Sequence, residues 1–292
     1  MTIRHLRVFV TVCELNSITK AAEKLFMAQP AVSCAIKELE DYYDIKLFDR
    51  ISRRLYLTEA GKNLLDYATH IVSLFSEMES NVRDFDKPGK LNIGSSITIG
   101  TGFMPVYVRY FKELYPHTEV HVTIDSSDII ERKILQNELD FALIEGTVHR
   151  ESIICEAYMD DELVIICSAL HPFSKSKAIT MEQFISEPFL LREKGSGTRE
   201  LFDNVLASQG FNVIPSWEST STLALINAVI NGLGLSILPR MLVKDIINEG
   251  RIMAVQIEGL KFNRKFNIIY HKNKFLTASA KRFIEMCKEA NL

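Results

Sequence analysis

Residues Ser17 to Glu40 read SITKAAEKLFMAQPAVSCAIKELE, two short helical stretches separated by a tight turn, and the fold of the N-terminal region follows from them. Ala21, Ala22 and Leu25 give the first stretch a small apolar face behind Ser17 or Thr19 as its N-cap. The second stretch is opened by Pro30, whose fixed φ and missing N–H suit a first turn, and Val32, Ile36 and Leu39 recur at i, i+4 and i+7. That stripe is the buried side. At about 100° per residue, Pro30, Cys34, Lys37 and Asp41 fall opposite it, flanked by Ser33 and Glu40. Short side chains permit close approach to a major groove, a hydroxyl suits a phosphate and a long donor suits a base edge. Ser33 and Lys37 fit the last two roles, with Gln29, Pro30 and Cys34 beside them.

A helical hairpin with a solvated face shows the same pattern, so the next segment decides. In EDYYDIKLFDRISRRLYLTEAG, Leu47, Phe48, Leu55 and Leu57 alternate with polar residues around Arg50, Arg53 and Arg54, which reads as a wing of two short strands with a cationic tip. The run QPAVSCAIKELEDYYDIKLFDRISRRLYLTEAG, from Gln29 to Gly61, resembles the DNA-binding signature of the LysR-type transcriptional regulators without a gap. The resemblance implies a winged helix-turn-helix, a dimerising linker helix and a two-lobe, periplasmic-binding-protein-like α/β effector domain. It also implies a homodimer, paired into a homotetramer, on double-stranded promoter DNA, with a small-molecule effector between the lobes. Cys34 departs from the family, whose members often carry Arg, Gln or another polar residue there.

The chain has 292 residues, 47% hydrophobic and 24% charged, as expected for a soluble globular protein of two or three domains. Its net charge of −3 argues against nucleic acid on average. From Met1 to Gly61, however, nine Lys or Arg stand against eight Asp or Glu, and the wing concentrates the arginines. DNA affinity is therefore expected to need a dimer presenting two such patches. Cys13, Cys34, Cys155, Cys167 and Cys287 form no CxxC pair and read as reduced, packed thiols of a cytoplasmic protein. The apolar run after Arg4 and Arg7 is too short for a signal peptide and meets Glu14. Ile3, Leu6, Phe9, Val10 and Cys13 instead suit an amphipathic first helix. No stretch approaches the roughly 20 apolar residues of a membrane span.

From Thr58 as N-cap to about Asp86, Leu64, Leu65, Ala68, Ile71, Val72, Phe75 and Met78 recur at helical spacing. A helix of that length reaches roughly 40 Å. Its stripe is expected to pack on a second copy through Leu64, Ala68, Ile71 and Phe75. DKPGK, Asp86 to Lys90, breaks it as a hinge. The domains are accordingly 1–58 for DNA binding, 59–90 for the linker helix and hinge, and 91–292 for the effector. Within the last, LNIGS, EVHVTI, DFALIE and IICEAYM alternate with helices, a pattern that restarts at ELVIICS, so a largely parallel sheet is expected. By the resemblance, the C-terminal strand and helix cross back. Lobe I then comprises about 91–160 and 266–292, and lobe II about 161–265.

GSSITIGTG, Gly94 to Gly102, and REKGSGTRE, Arg192 to Glu200, are both hydroxyl-rich strand-to-helix turns, one in each lobe. Such turns bind anions, or their hydroxyls simply cap helices. Ser96, Thr98, Ser127, Ser196, Gly197 and Thr198 are the candidate contacts for an anionic or zwitterionic effector. Glu145, ending ALIEG, would repel an anion unless paired with Arg192 or Arg199, or would hold a cationic group. ALIEGTV and FLLREKGSGTRE resemble a branch of the family linked to sulfur or central carbon metabolism. Enzyme signatures fail: GLGLSI at Gly232 to Ile237 lacks the third glycine of a dinucleotide loop, and no GxSxG occurs. Gly232 and Gly234 read as close-packing positions at a helix end. His117 and His121 have the i, i+4 spacing of helical metal ligands, but Pro116 precedes a strand-like TEVHVTI, where that spacing does not converge on a metal. No catalytic residue, cofactor or metal is expected. A small-molecule-binding protein without direct gene regulation is the alternative reading.

Overall fold

Helix α1 (Ile3–Leu15) is buried along most of its length, and α2 (Ile18–Lys24) and α3 (Gln29–Tyr43) close around it. The computed structural model describes residues 1–51, 54–83 and 89–289. Two compact units divide the chain, one centred on Met1–Lys87 and one on Pro88–Ile134, Glu138–Lys272 and Leu276–Leu292. In the first, Leu6, Phe9 and Val12 of α1 pack on Ala21 and Ala22 of α2 and on Val32, Ile36 and Leu39 of α3. Ser17 caps α2 by accepting the Lys20 N–H at 3.3 Å. α3 begins at Gln29 behind Ala28, so Pro30 is its second residue and not, as the sequence reading had it, its first.

β1 (Phe48–Ile51) and β2 (Arg54–Leu57) pair antiparallel, with Phe48 opposite Leu57. Thr58 closes the pair onto α4 (Glu59–Arg83), donating to the Lys46 carbonyl at 2.7 Å and accepting the Gly61 N–H at 3.0 Å. Of Arg50 and Arg54 only the strand backbone is described, while Arg53 and the Asp86–Pro88 part of the expected hinge lie outside the described residues.

α4 departs from the expected seam. Ala68 is fully buried in the core that α1 builds, and Leu64, Leu65 and Val72 pack against it. Phe75 lies under the Arg7 guanidinium, 5.4 Å from the ring centroid. The apolar residues left exposed are Tyr67, Ile71, Leu74 and Met78, each between 47% and 58% accessible. They recur at i, i+4, i+7 and i+11, one stripe on the side turned away from the core. The helix thus carries two apolar stripes, which sequence periodicity merged into one.

The second unit runs β3 (Lys90–Ser96), α5 (Ile97–Gly102), α6 (Met104–Leu114), β4 (Glu119–Asp125), α7 (Ser127–Leu135), β5 (Phe141–Glu145) and β6 (Ile153–Ser168). After a 3-10 turn at Pro172–Lys175 come α8 (Met181–Ile185), β7 (Leu190–Arg192), α9 (Gly197–Ser208), β8 (Trp217–Ser219) and α10 (Thr222–Ile230). It ends with β9 (Ser236–Pro239), α11 (Arg240–Asn248), β10 (Ile252–Val255), β11 (Phe262–His271) and α12 (Ala278–Glu289). One sheet has the order β10-β6-β11-β5-β3-β4 with β9 also on β6, and β7 pairs β8 separately.

That sheet is mixed rather than largely parallel. β3 runs parallel to β4 and β5, whereas β11, β9 and β10 all pair antiparallel. The reason is the return of the chain: β11 comes back along β6 from Phe262 opposite Leu163 to His271 opposite Ile153. Both long strands therefore cross the lobe limits expected at 160/161 and 265/266, and the lobes share them. Separate cores mark the two ends, one around Ile93, Phe141, Phe266 and Phe283, and others around Leu163, Phe202 and Ile237, and around Ile166 and Val229.

Gly234 is a close-packing position, since a Cβ there would lie 2.3 Å from the Pro188 carbonyl oxygen. Gly232 is not: a Cβ would meet nothing, and its φ of +75° serves to end α10. His121 lies exposed on β4, 3.0 Å from Glu119. Among the described residues, no helix is long and apolar enough to cross a membrane.

Candidate functional site

On α3, Gln29, Pro30, Cys34 and Lys37 are exposed and Ser33 is half-buried, opposite the buried Val32, Ile36 and Leu39. Gln29 Nε2 donates to Ser33 Oγ at 2.9 Å, presenting amide and hydroxyl as one unit at the helix start. Cys34 Sγ donates to Glu38 at 3.3 Å, and that carboxylate also pairs with His5 Nε2 at 2.7 Å. The Glu38 hydrogen bond, reinforced by its charge, pushes the Cys34 thiol above its ordinary value, so it faces outward as a neutral donor. The His5 bond, then the Cys34 bond, holds Glu38 below the usual carboxylate range. Sequence reading had left this acceptor out of the face.

Glu40 is a correction in the other direction. It turns inward and accepts the Leu47 N–H at 2.8 Å, the Phe48 N–H at 3.3 Å and the Lys46 ammonium at 3.0 Å. It therefore anchors the wing's first strand to α3 instead of flanking the outer face.

In the second unit, Ser96, Thr98, Ser127 and Gly197 lie directly against Glu145, Thr198 reaches it through Arg264, and Ser196 caps the helix that carries the last two. The Ser96 hydroxyl donates to its carboxylate, Thr98 Oγ1 does so at 2.9 Å, and Ser127 Oγ donates to its carbonyl at 3.1 Å. Ser196 caps α9 by accepting the Arg199 N–H at 3.2 Å. That cap brings Gly197 so near that a Cβ there would stand 2.3 Å from the Glu145 carbonyl oxygen. Thr198 Oγ1 accepts from Arg264 Nη1 at 3.0 Å, and the same nitrogen lies 3.8 Å from Glu145 Oε1. Glu145, Ser96, Thr98, Ser196 and Thr198 are all at most 2% exposed.

Glu145 pairs with Arg264, not with Arg192 or Arg199, because Arg192 is held by Glu193 at 2.8 Å and Arg199 by Asp203 and Glu218. The hydroxyls of Ser96 and Thr98 are also engaged by the protein's own carboxylate, and α5 behind them is only six residues long.

Sequence reasoning missed Arg264, Asp161 and Asn267. Arg264 Nε donates to Asp161 at 2.6 Å, its cross-strand partner between β11 and β6, and Asn267 donates to the Gly146 carbonyl at 2.9 Å. Burial pushes the Asp161 carboxyl above its ordinary value, and the Arg264 charge opposes this without overcoming it. The missed signal was positional: Arg264 occupies the inward register between the buried Phe262 and Phe266.

Outside this nest lies an open cleft of about 410 Å³ whose lining includes Thr147, His149, Lys194, Gly195 and Asn204. Its walls are tied by the Asp128 N–H to the Gly195 carbonyl at 3.2 Å and by His149 to Glu200 at 2.9 Å.

A winged helix-turn-helix in the same chain as a two-lobed α/β domain with a buried polar nest defines a ligand-responsive DNA-binding regulator. Residues 3–62 match the family described as bacterial regulatory helix-turn-helix protein, lysR family, and residues 86–291 match the LysR substrate binding domain. The chain is similar to the uncharacterized HTH-type transcriptional regulator YeiE of Escherichia coli, at 32% identity over 296 residues, covering 100% of this chain and 99% of that one. A full-length OxyR variant of Pseudomonas aeruginosa superposes with a TM-score of 0.66 at 22% identity, over 99% of this chain and 94% of that one. The regulatory domain of Synechocystis CcmR, solved in complex with 2-PG, gives 0.64 at 23% identity, over 68% and 96%. This chain belongs to the LysR family of transcriptional regulators. It is a DNA-binding regulator modulated by a small molecule at its C-terminal domain.

Proposed function

We propose that the chain binds promoter DNA in the cytoplasm as a homodimer, two of which form a tetramer, and responds to a small anionic or zwitterionic effector between its lobes. Residues 1–58 bind DNA through Gln29, Pro30, Ser33, Cys34 and Lys37 on α3, with Arg50, Arg53 and Arg54 on phosphates. Residues 59–90 form the dimerising helix and hinge, using the exposed stripe of Tyr67, Ile71, Leu74 and Met78, and residues 91–292 hold the effector. No catalytic step is assigned to any of them.

The observation that carries the effector reading is the meeting of Ser96, Thr98 and Glu145 from one lobe with Gly197 and Thr198 from the other around Arg264. Site occupancy and lobe closure are then the same event. An effector acts only through its different affinity for the two lobe arrangements, and that difference is what reaches the DNA-binding pairs. The anionic class is supported by this hydroxyl and guanidinium chemistry, and a small molecule at this domain by the similar CcmR domain, which was solved with 2-PG.

The test is footprinting on the promoter beside the regulator's own gene, with panels of carboxylates, inorganic oxoanions and amino acids, on wild type, Thr98→Val and Thr198→Val. The expected result is an effector that changes the footprint and loses affinity in both variants. An effector whose affinity neither substitution alters would move the site elsewhere.

A further inference from the structure

The nest around Arg264 already contains an anion. Ser96 and Thr98 donate to the Glu145 carboxylate and Arg264 Nη1 stands 3.8 Å from it, which is the donor set a bound carboxylate or oxoanion requires. The charge balance leaves no room for another. Arg264 faces two carboxylates, Glu145 and Asp161, and all three side chains are at most 5% exposed. A further negative charge added beside them would be buried without a counter-charge. Yet Arg264 Nη2 is buried with no hydrogen-bond partner among the described residues, a leftover donor in a place where such donors are normally satisfied. The other titratable groups near Glu145 supply no unpaired cation: Tyr158 on β6 has Tyr107 behind it, Glu200 on α9 pairs with His149, and Lys265 pairs with Asp160.

We infer that the Glu145 side chain is a built-in occupant of the effector's anion position. An anionic effector binds by taking over the Ser96 and Thr98 hydroxyls and Arg264 Nη2 while Glu145 swings outward, so residue 145 sets both the ligand charge the cleft accepts and the concentration it needs. This rests on the reading of the cleft as the effector site. The displaced carboxylate has somewhere to go. A cavity of about 240 Å³ adjoins Arg264; the Asn204 and Asn263 amides line it, Lys265 and Asn267 lie on it while already held by Asp160 and the Gly146 carbonyl, and Glu200, paired with His149, forms another part of the wall. Gly146, which follows Glu145, has a φ of +97° and puts no side chain in the way of the movement.

The test uses the full chain as wild type, Glu145→Ala and Glu145→Gln, titrated with sodium acetate and sodium sulfate against sodium chloride of equal ionic strength. Calorimetry and thermal unfolding are the readouts. Expected are affinities for acetate and sulfate at least tenfold higher in both variants than in wild type, and recovery of lost thermal stability in Glu145→Ala by acetate but not chloride. Adding Thr98→Val to either variant should remove the gain. Glu145→Gln keeps the side chain's shape, so the comparison survives if the alanine variant does not fold. Equal anion affinity in wild type and variants overturns the inference; if Thr198→Val still abolishes an effector's change in the footprint, the cleft reading stands without it. An acetate site created in Glu145→Ala supports the inference even where its occupancy leaves the footprint unchanged, and in that case it is the cleft reading that fails.

Discussion

Arg264→Ala is the most informative single change in the second unit. The guanidinium is 3% exposed, bonds Asp161 at 2.6 Å and Thr198 at 3.0 Å, and lies 3.8 Å from Glu145. Its removal leaves two carboxylates buried without a cation, and breaking a buried pair in this way costs about 3–5 kcal/mol. At about 2–4 °C per kcal/mol for a unit of this size, the melting temperature should fall by roughly 10 °C. The deficit should also depend on pH. Asp161 already sits above its ordinary value of 3.8 through burial, and losing Arg264 raises it further. A carboxyl whose folded value exceeds its unfolded one subtracts stability at neutral pH and returns it as the pH falls through the folded value. The Arg264→Ala deficit should therefore shrink as the pH is lowered from 7 toward the raised Asp161 value, whereas a deficit from lost packing alone stays constant. Thermal unfolding of wild type, Arg264→Ala, Asp161→Asn and the double variant across that range separates the two. A loss under about 1 kcal/mol, or strict additivity in the double variant, refutes the description of Arg264 as the charge that holds the nest together.

Gly197→Ala places a Cβ 2.3 Å from the Glu145 carbonyl oxygen and should cost about 1–3 kcal/mol by forcing the lobes apart, seen as a lowered melting temperature with faster proteolysis of the second unit. Ile71→Asp or Leu74→Asp, on the exposed stripe of α4, should dissociate the dimer in sedimentation with little change in melting of the first unit, whereas Ala68→Asp should unfold that unit. Lys37→Ala should weaken binding to the preferred operator by about 1–3 kcal/mol and relax selectivity at one position, while Arg53→Ala with Arg54→Ala should weaken all DNA alike and flatten the salt dependence. Glu40→Ala should destabilise the first unit by about 1.5–3 kcal/mol, since it strips a charged acceptor from the Leu47 and Phe48 N–H groups. Burial alone would raise the Glu40 carboxyl, but those bonds with Lys46 hold it below its ordinary value of 4.5. Its contribution is therefore present above that value and lost as the pH falls through the lowered one, and an acid titration of wild type against Glu40→Ala should show the two converging there.

The first unit was legible because its signals are local. Ser17 capping α2, the Val32, Ile36 and Leu39 stripe and the arginine-bearing wing each sit within a few residues of what they specify. The long helix was legible only in part, since a stripe that serves the intrachain core and one that faces outward have the same period. Only α1, more than fifty residues away, decides that Ala68 belongs to the first and Ile71 to the second. Sheet direction failed for a related reason: alternation of strand and helix says nothing of a strand returning from the far end of the chain, and β11 pairs antiparallel with both its neighbours.

The nest shows where residue-type reasoning stops. The hydroxyls of GSSIT and GSGT and the carboxylate of ALIEG meet in one buried nest, but the sequence could not say which charge balances which. Arg192 and Arg199, the partners the sequence offered, belong to the second hydroxyl-rich turn itself. In the folded chain those arginines are already held by Glu193, Asp203 and Glu218, which leaves the balance to Arg264, an inward charge on a strand otherwise read as core. An arginine is tolerated in that register only because Asp161 faces it on β6 and Glu145 reaches it from β5. The two long strands shared by the lobes thus carry the charge pair between them, and the residue with the unpartnered nitrogen is the one placed where the lobes join. Whatever small molecule the cleft accepts must be reconciled with that nitrogen and with the carboxylate already beside it.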